Sequence, residues 1–141
     1  MHFKLLSATE SDKTYLLKLR KLTMVEHFEK VGLFLSDEEH LFRLSDDYQC
    51  SYIIIHNEVR IGMLKYQELD DKFEIMQIQI SPEFQGQGFG RKIVQQVLEL
   101  SKAKNVELTV LKENPALMLY KRLGFEIIGE DQYEFHMRTN K

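Results

Sequence analysis

The chain has 141 residues, of which 43% are hydrophobic and 29% are charged, and its formal net charge at pH 7 is −3. This length suits one domain with a sizeable core, and the composition is that of a soluble globular protein. The acidic balance argues against a nucleic-acid binder, the single cysteine excludes an internal disulfide, and no apolar run could cross a bilayer. The charged N-terminal segment does not suit a signal peptide, so we expect one cytoplasmic domain over residues 1–141.

The first half of the chain predicts a strand, two helices and three further strands. Thr9 or Ser11 can cap the first helix and Gly32 ends it, while Ser36 and Glu39 form a capping box for the second. β-Branched residues and alternation predict the strands, and Asn57-Glu58 suits a hairpin turn. The predicted strands are residues 2–6, 51–56, 59–66 and 73–80, and the predicted helices begin near residues 9 and 36.

The second half predicts two helices and three strands. A helix over about residues 88–104 is followed by a nearly continuous apolar strand at 106–111, which suits a central strand buried on both faces. Asn114 and Pro115 then open a helix as N-cap and first residue, and Gly124 ends it. Strands at 125–129 and 133–137 complete a mixed α/β (α+β) domain in the order β-α-α-β-β-β-α-β-α-β-β.

A glycine loop joins the strand ending at Ile80 to the following helix. Gly86, Gly88 and Gly90 are spaced by two residues, and Arg91 follows them. Glycines let a backbone approach a ligand closely, and the first amides of a helix have no intrahelical partner. The helix dipole adds partial positive charge at that point, so the segment predicts a phosphate-binding site, with a simple tight turn as the alternative.

The loop matches neither of two common nucleotide-binding motifs. A P-loop requires Gly-Lys-Ser/Thr, whereas the chain has Gly90-Arg91-Lys92, and the dinucleotide fingerprint G-x-G-x-x-G is out of register. A nucleotide-binding domain therefore remains a weaker alternative for this loop.

Two segments together resemble the GNAT superfamily, the GCN5-related N-acetyltransferases. The segment from Gln85 to Gly90 is similar to that family's Q/R-x-x-G-x-G/A signature. The segment from Asn114 to Phe125, with Ala116, Tyr120 and Gly124, is similar to its N-x-x-A-x-x-x-Y and G-F motif. The resemblance implies a central, mostly antiparallel twisted sheet with helices on both faces, and acetyl-CoA as co-substrate.

The resemblance also implies where acetyl-CoA binds. Loop amides would hold the pyrophosphate, while the strand carrying Ile78 and Ile80 would splay from residues 106–111 and pair its free backbone groups with the pantetheine arm. Asn114 would contact that arm, and Tyr120 would face the thioester sulfur and protonate the departing thiolate. The implied cofactor-binding residues are Ile78, Gln79, Ile80, Gln85, Gly86, Gln87, Gly88, Phe89, Gly90, Arg91, Asn114 and Tyr120.

Residue types leave other roles open for several of these side chains. Asn114 also serves as a helix cap, and Tyr120 lies on an apolar helix face, where an aromatic residue is ordinarily part of the core. Glu74 is placed like the glutamate base of the histone-acetylating branch. The alternative is that Glu74 is an ordinary strand carboxylate that faces solvent. Many relatives use a relay of water molecules instead of such a base. Gln77 and Gln79 are polar side chains on a strand that should be buried. They could hydrogen-bond to the acceptor or to nearby amides.

The implied reaction is direct transfer of the acetyl group to a primary amine in a ternary complex. A backbone N–H near Ile78 would stabilise the oxyanion, and Cys50 is a poor nucleophile candidate. His27 and His40 could line the substrate side, and since no pair of histidines has metal-ligand spacing, we expect no metal. A non-catalytic acyl-CoA sensor is the competing hypothesis.

The acceptor is not identified by the sequence. Small amines, a peptide N-terminus, a lysine side chain and an amino sugar are all open, and the net charge of −3 mildly favours a cationic acceptor. The use of longer acyl-CoAs and the oligomeric state, a homodimer included, are also open.

Overall fold

The computed structural model describes residues 3–141. Its order of elements confirms the predicted one, although the predicted first strand began at residue 2, outside the described residues. The strands are β1 (Lys4–Ser7), β2 (Ser51–His56), β3 (Val59–Glu68), β4 (Lys72–Ile80), β5 (Asn105–Leu111), β6 (Phe125–Glu130) and β7 (Glu134–Thr139). The helices are α1 (Lys13–Lys30), α2 (Asp37–Ser45), α3 (Phe89–Ser101) and α4 (Ala116–Arg122).

Local sequence signals account for most element boundaries. The Ser36 hydroxyl accepts from the Glu39 amide and the Glu39 side chain accepts from the Ser36 amide, so the predicted capping box is confirmed. Asn57 and Glu58 both have positive φ, as a two-residue hairpin turn requires. The third helix is shorter than predicted, because Lys102 leaves the helical conformation with φ +53°.

The sheet opens at its centre. Its strand order is β1-β2-β3-β4-β5-β7-β6, and β4 with β5 is the parallel pair among antiparallel neighbours. Within the described chain, the β4–β5 pairing runs from Lys72↔Asn105 to Ile75↔Leu108 and ends there. A β-bulge follows in the β3–β4 ladder, and bulges bend a strand. The predicted splay is therefore present, with the backbone beyond Ile75 free on the side facing β5.

The helices cover both faces of the sheet. Apolar side chains of α3 and α4 pack on one face in a cluster that includes Val94 and Tyr120, and α1 and α2 pack on the other around Leu16 and Leu44. The expectation that β5 is buried on both faces is wrong, since Thr109 is exposed. Thr109 lines a cavity at the opening between β4 and β5.

None of the helices in residues 3–141 combines the length and apolar character needed to span a bilayer.

Candidate active site

The glycine loop presents open backbone in front of α3. Gly86 and Gly88 have φ values of +80° and +77°, in the region that side chains rarely adopt. A Cβ placed on either glycine would meet no protein atom within 4 Å, so the space before the loop is free. Gly88 immediately precedes α3, and no side chain caps the helix there. The loop is thus shaped as a cradle whose inner wall is backbone.

The first amides of α3 point into that cradle. The Lys92 amide donates to the Gly88 carbonyl at 3.1 Å, which leaves the amides of Phe89, Gly90 and Arg91 without a carbonyl of the preceding turn to bond. The Phe89 ring is buried and packs against the aromatic core, so only its backbone serves the loop. Uncapped amides, the helix dipole and the exposed Arg91 together favour an anion such as pyrophosphate.

Gln85 has a structural contact within the loop. Its side-chain Nε2 donates to the Ile80 carbonyl at 2.9 Å, and its backbone amide donates to the Pro82 carbonyl at 3.2 Å. These bonds fasten the loop to the end of β4, so Gln85 orients the cradle and has little left to donate to a ligand.

A groove with a volume of about 480 Å³ connects the loop, the free edge of β4 and α4. It brings together nearly all of the predicted cofactor residues: Ile78, Gln79, Ile80, Gln85, Gly86, Gly88, Phe89, Gly90, Arg91, Asn114 and Tyr120. Gln87 is exposed and does not line the groove.

Tyr120 stands at the inner end of this groove. It is 7% exposed, and its ring packs edge-on against Phe125 with 5.9 Å between centroids. Burial raises the pKa of Tyr120 to about 12. The phenol therefore keeps its proton throughout the neutral range and can donate a hydrogen bond into the groove.

Asn114 combines a capping contact with a place in the groove. Its Oδ1 accepts from the Ala116 amide at 2.9 Å, so the capping interaction is present, although the helix begins at Ala116 and the residue directly flanking it is Pro115 rather than Asn114. Proline therefore lies just outside the helix instead of at its first position. The Nδ2 group of Asn114 is not used in this cap, and Asn114 lines the groove.

A second cavity, with a volume of about 170 Å³, lies on the α1–α2 side of the opening between β4 and β5. It shares Ile78, Gln79, Asn114 and Tyr120 with the groove, so the two meet beside the tyrosine. We call it the inner cavity. The residues that line it without having been predicted as site residues include Arg20, Met24, Phe28, Arg43, Thr109 and Glu134.

Sequence reasoning missed these charged side chains because they belong to no motif. Arg20 and Arg43 come from different helices, and Glu134 comes from the start of β7. One signal was present in the sequence, since Arg20 follows Leu16 and Leu19 on the apolar stripe of α1. A charged residue on such a stripe is seldom there without a partner.

Glu74 lies apart from this centre. It is at the paired end of β4, opposite Glu107 on β5, and it lines neither the groove nor the inner cavity. Four residue steps along β4 separate it from Ile78, a distance of roughly 13 Å along the chain. Glu134 is the carboxylate that lines the inner cavity.

The two histidines of the helices have different surroundings. The Nδ1 atom of His27, a groove residue, is buried without a hydrogen-bond partner. His40 is buried, and burial together with nearby cations lowers its pKa, so a neutral ring accepts a hydrogen bond from Arg20 Nε at 3.2 Å.

Burial raises the pKa of the Cys50 thiol, which lies outside both the groove and the inner cavity. Among residues 3–141, no group of His, Cys, Asp and Glu side chains is arranged to hold a metal ion.

Solved structures that are similar to this chain include acetyltransferases. The chain is similar to the PaiA N-acetyltransferase of Thermoplasma acidophilum in complex with coenzyme A, with 16% identity, full coverage of both chains and a TM-score of 0.72. It is also similar to the ribosomal-protein-S18-alanine N-acetyltransferase of Escherichia coli, with 15% identity, 98% of this chain and 93% of that chain covered, and a TM-score of 0.70. Identities this low show a shared fold.

Sequence comparison adds two findings. The N-alpha-acetyltransferase RimI of Mycobacterium tuberculosis is 34% identical over 59 residues, a match that spans 41% of this chain and only 37% of that relative. The family model described as "Acetyltransferase (GNAT) family" matches residues 15–125, which is most of the chain and includes both motifs. The chain therefore belongs to the GNAT family of acetyltransferases.

Proposed function

We propose that residues 1–141 form one N-acetyltransferase domain, which transfers an acetyl group from acetyl-CoA to a primary amine of a small molecule or peptide. Transfer proceeds by direct attack in a ternary complex. One observation carries the proposal: the open glycine cradle and the free edge of β4 lead, in one groove, to a buried tyrosine at which a second cavity begins.

Three features of the groove support acetyl-CoA as its ligand. The amides of Gly88, Phe89 and Gly90 would hold the pyrophosphate, because no side chain or helical carbonyl competes for them. The unpaired backbone of β4 beyond Ile75 would pair with the pantetheine amides as an added strand does. The Nδ2 group of Asn114, which the cap leaves unused, would donate to the same arm.

Acetyl-CoA supplies a thioester, whose carbonyl carbon accepts the amine and whose sulfur departs with the bonding electrons. A backbone N–H near Ile78 would stabilise the negative charge that develops on the carbonyl oxygen. Tyr120 would donate a hydrogen bond to the sulfur as negative charge grows there. A thiol has a pKa of roughly 8.5, so a phenol with a pKa of about 12 stabilises the thiolate best by a shared proton rather than by complete transfer.

The amine must lose a proton before or during attack. Glu74 remains the base that the family resemblance implies, and its distance along β4 from Ile78 would require a relay of water. Glu134 is the better-placed carboxylate, because it lines the inner cavity from which the amine would approach Tyr120. Comparing Glu134→Gln with Glu74→Gln distinguishes them: loss of the base should lower kcat/KM at neutral pH and leave a rise with pH that follows deprotonation of the free amine.

The relatives bear on the acceptor and the compartment. RimI of M. tuberculosis is an N-alpha-acetyltransferase, so a peptide N-terminus belongs among the acceptors to be tested, although that match covers a minor part of both proteins. We also propose a cytoplasmic location for the domain, as for an enzyme that draws on the acetyl-CoA pool.

The proposal is tested by calorimetric titration with acetyl-CoA, followed by a thiol-release assay over a panel of amines. Saturable binding together with amine-dependent thiol release is the expected result. Binding without release on any amine would instead favour the acyl-CoA sensor, which needs the cradle but has no use for a tyrosine at the end of the groove. ATP or NAD displacing CoA would refute the assignment of the cradle.

A further inference from the structure

The wall of the inner cavity formed by α1 and α2 is cationic, although the whole chain has a net charge of −3. Arg20 and Arg43 both line the cavity, and each guanidinium carbon lies 5.5 Å from the centroid of the Phe28 ring. Two guanidinium groups thus lie around one aromatic ring on the wall of the inner cavity.

Arg20 is buried without a counter-ion. It is 3% exposed, and its single side-chain hydrogen bond among the described residues runs from Nε to His40 Nδ1. The four N–H donors of its two Nη groups have no protein acceptor there. Nor does any carboxylate of residues 3–141 come within 4.0 Å of Arg20 or Arg43. Donors that no protein group uses, on cations that line the cavity with no carboxylate nearby, favour an external anion that reaches both groups.

Neighbouring side chains position the guanidinium of Arg20 and the helix end that carries Arg43. The neutral imidazole of His40 orients Arg20 through its Nδ1 atom. The ammonium of Lys65, buried under α2, donates to the carbonyls of Arg43, Leu44 and Asp46 at 3.3, 3.0 and 2.5 Å. Lys65 therefore holds the end of the helix that carries Arg43. Pre-positioned donors of this kind bind a planar carboxylate without a large loss of side-chain entropy.

The sheet side of the same cavity offers acceptors. Gln77 Oε1 is buried with no hydrogen-bond partner, and Gln77 immediately precedes Ile78, where the thioester is proposed to lie. Glu134 adds a carboxylate on that side. The cavity is therefore polarised, with donors on the helix wall and acceptors on the sheet wall next to Tyr120.

We propose that the acceptor is an amine that also carries a carboxylate, with the carboxylate bound by Arg20 and Arg43 and the amine held by Gln77 and Glu134. This inference rests on the proposed function and names its substrate class. It replaces the cationic acceptor that the net charge suggested, because the charges lining the cavity act at contact distance whereas the net charge acts through solvent. The carboxylate can belong to a free amino acid or to an acidic side chain near a peptide N-terminus.

The test uses pairs of amines that differ by one carboxylate. Tyrosine is compared with tyramine, histidine with histamine, and lysine with cadaverine. For the peptide source, alanyl-aspartyl amide is compared with alanyl-asparaginyl amide. The measurement is kcat/KM for thiol release at saturating acetyl-CoA. We expect the carboxylated member of the productive pair to be preferred by about tenfold to a hundredfold, the size expected of charge-assisted hydrogen bonds.

Three variants connect the preference to these residues. Arg43→Met removes an exposed residue and should reduce the preference to under about threefold, mainly by raising KM for the carboxylated amine, while CoA affinity is unchanged. Arg20→Met should do the same, and a thermal melt shows whether that buried variant folds. Arg60→Met is the matched control, since Arg60 is exposed, stacks on Tyr15 and lies outside the cavity, and it should retain the wild-type preference.

Failure of this inference and failure of the proposed function give different results. Equal turnover of the paired amines, or a preference that survives both arginine variants, overturns the anion site and leaves the acetyltransferase intact. If no amine is turned over, the paired amines are titrated into the CoA-loaded protein by calorimetry. Binding that does not favour the carboxylate then overturns the inference, and absent CoA binding overturns the proposed function.

Discussion

Replacing Tyr120 with phenylalanine tests both its burial and its proposed role. Burial raises the pKa of the phenol from 10.0 to about 12. Because the folded protein holds this proton more tightly than the unfolded chain, the associated stability is fully present below pH 10 and is lost as the pH rises toward 12. At pH 11 the unfolded phenol is mostly ionised and the folded one is not, which costs the wild type about 1.4 kcal/mol.

The assay is urea unfolding of wild-type and Tyr120→Phe protein at pH 8.5 and pH 11. Other groups titrate equally in the two proteins, so the difference between the two free-energy changes isolates Tyr120. The wild type should lose about 1.4 kcal/mol more than the variant over this interval. Identical losses would show that the hydroxyl is solvated in the folded protein, which would refute the argument from burial.

The same variant separates catalysis from cofactor binding. Loss of a donor that acts on the leaving sulfur should lower kcat by about a hundredfold and leave the Kd for acetyl-CoA nearly unchanged. A parallel loss of CoA affinity would instead make Tyr120 a packing or contact residue.

Three further substitutions test the glycine cradle, the contact between β3 and β4 at Gly62, and the end of α2. Gly88→Trp should abolish CoA binding in calorimetry by filling the open space, whereas Gly32→Trp, with a similar φ of +82°, should retain it; unchanged affinity in the first would refute the placement. Gly62→Ala should destabilise the fold by about 1–3 kcal/mol in urea unfolding, because its Cβ would overlap the Gln79 carbonyl, while Gly90→Ala should be tolerated. Lys65→Met should lower the free energy of unfolding by about 2 kcal/mol, since it leaves the carbonyls at the end of α2 without their donor; an unchanged urea midpoint would contradict this.

The loop and the two motifs were accessible from sequence because their signals are local. Glycine spacing, a strand that stops at Ser81-Pro82 and a helix that starts without a capping side chain follow from backbone conformation alone, and each is present in the structure. The capping box at Ser36 and the turn at Asn57 are local in the same sense. Family resemblance then connected these local features with a known fold.

Tertiary structure decided the inner cavity and the environment of each charge. Arg20, Arg43 and Glu134 are brought to one space by contacts between elements far apart in the chain, which no periodicity encodes. Glu74 and Ile78 lie on one strand, yet the splay that begins after Ile75 separates the paired end from the open one. The sequence by itself determined the glycine cradle, whose amides belong to consecutive residues, while only the packing of α1 and α2 over the open sheet determined which charges line the inner cavity.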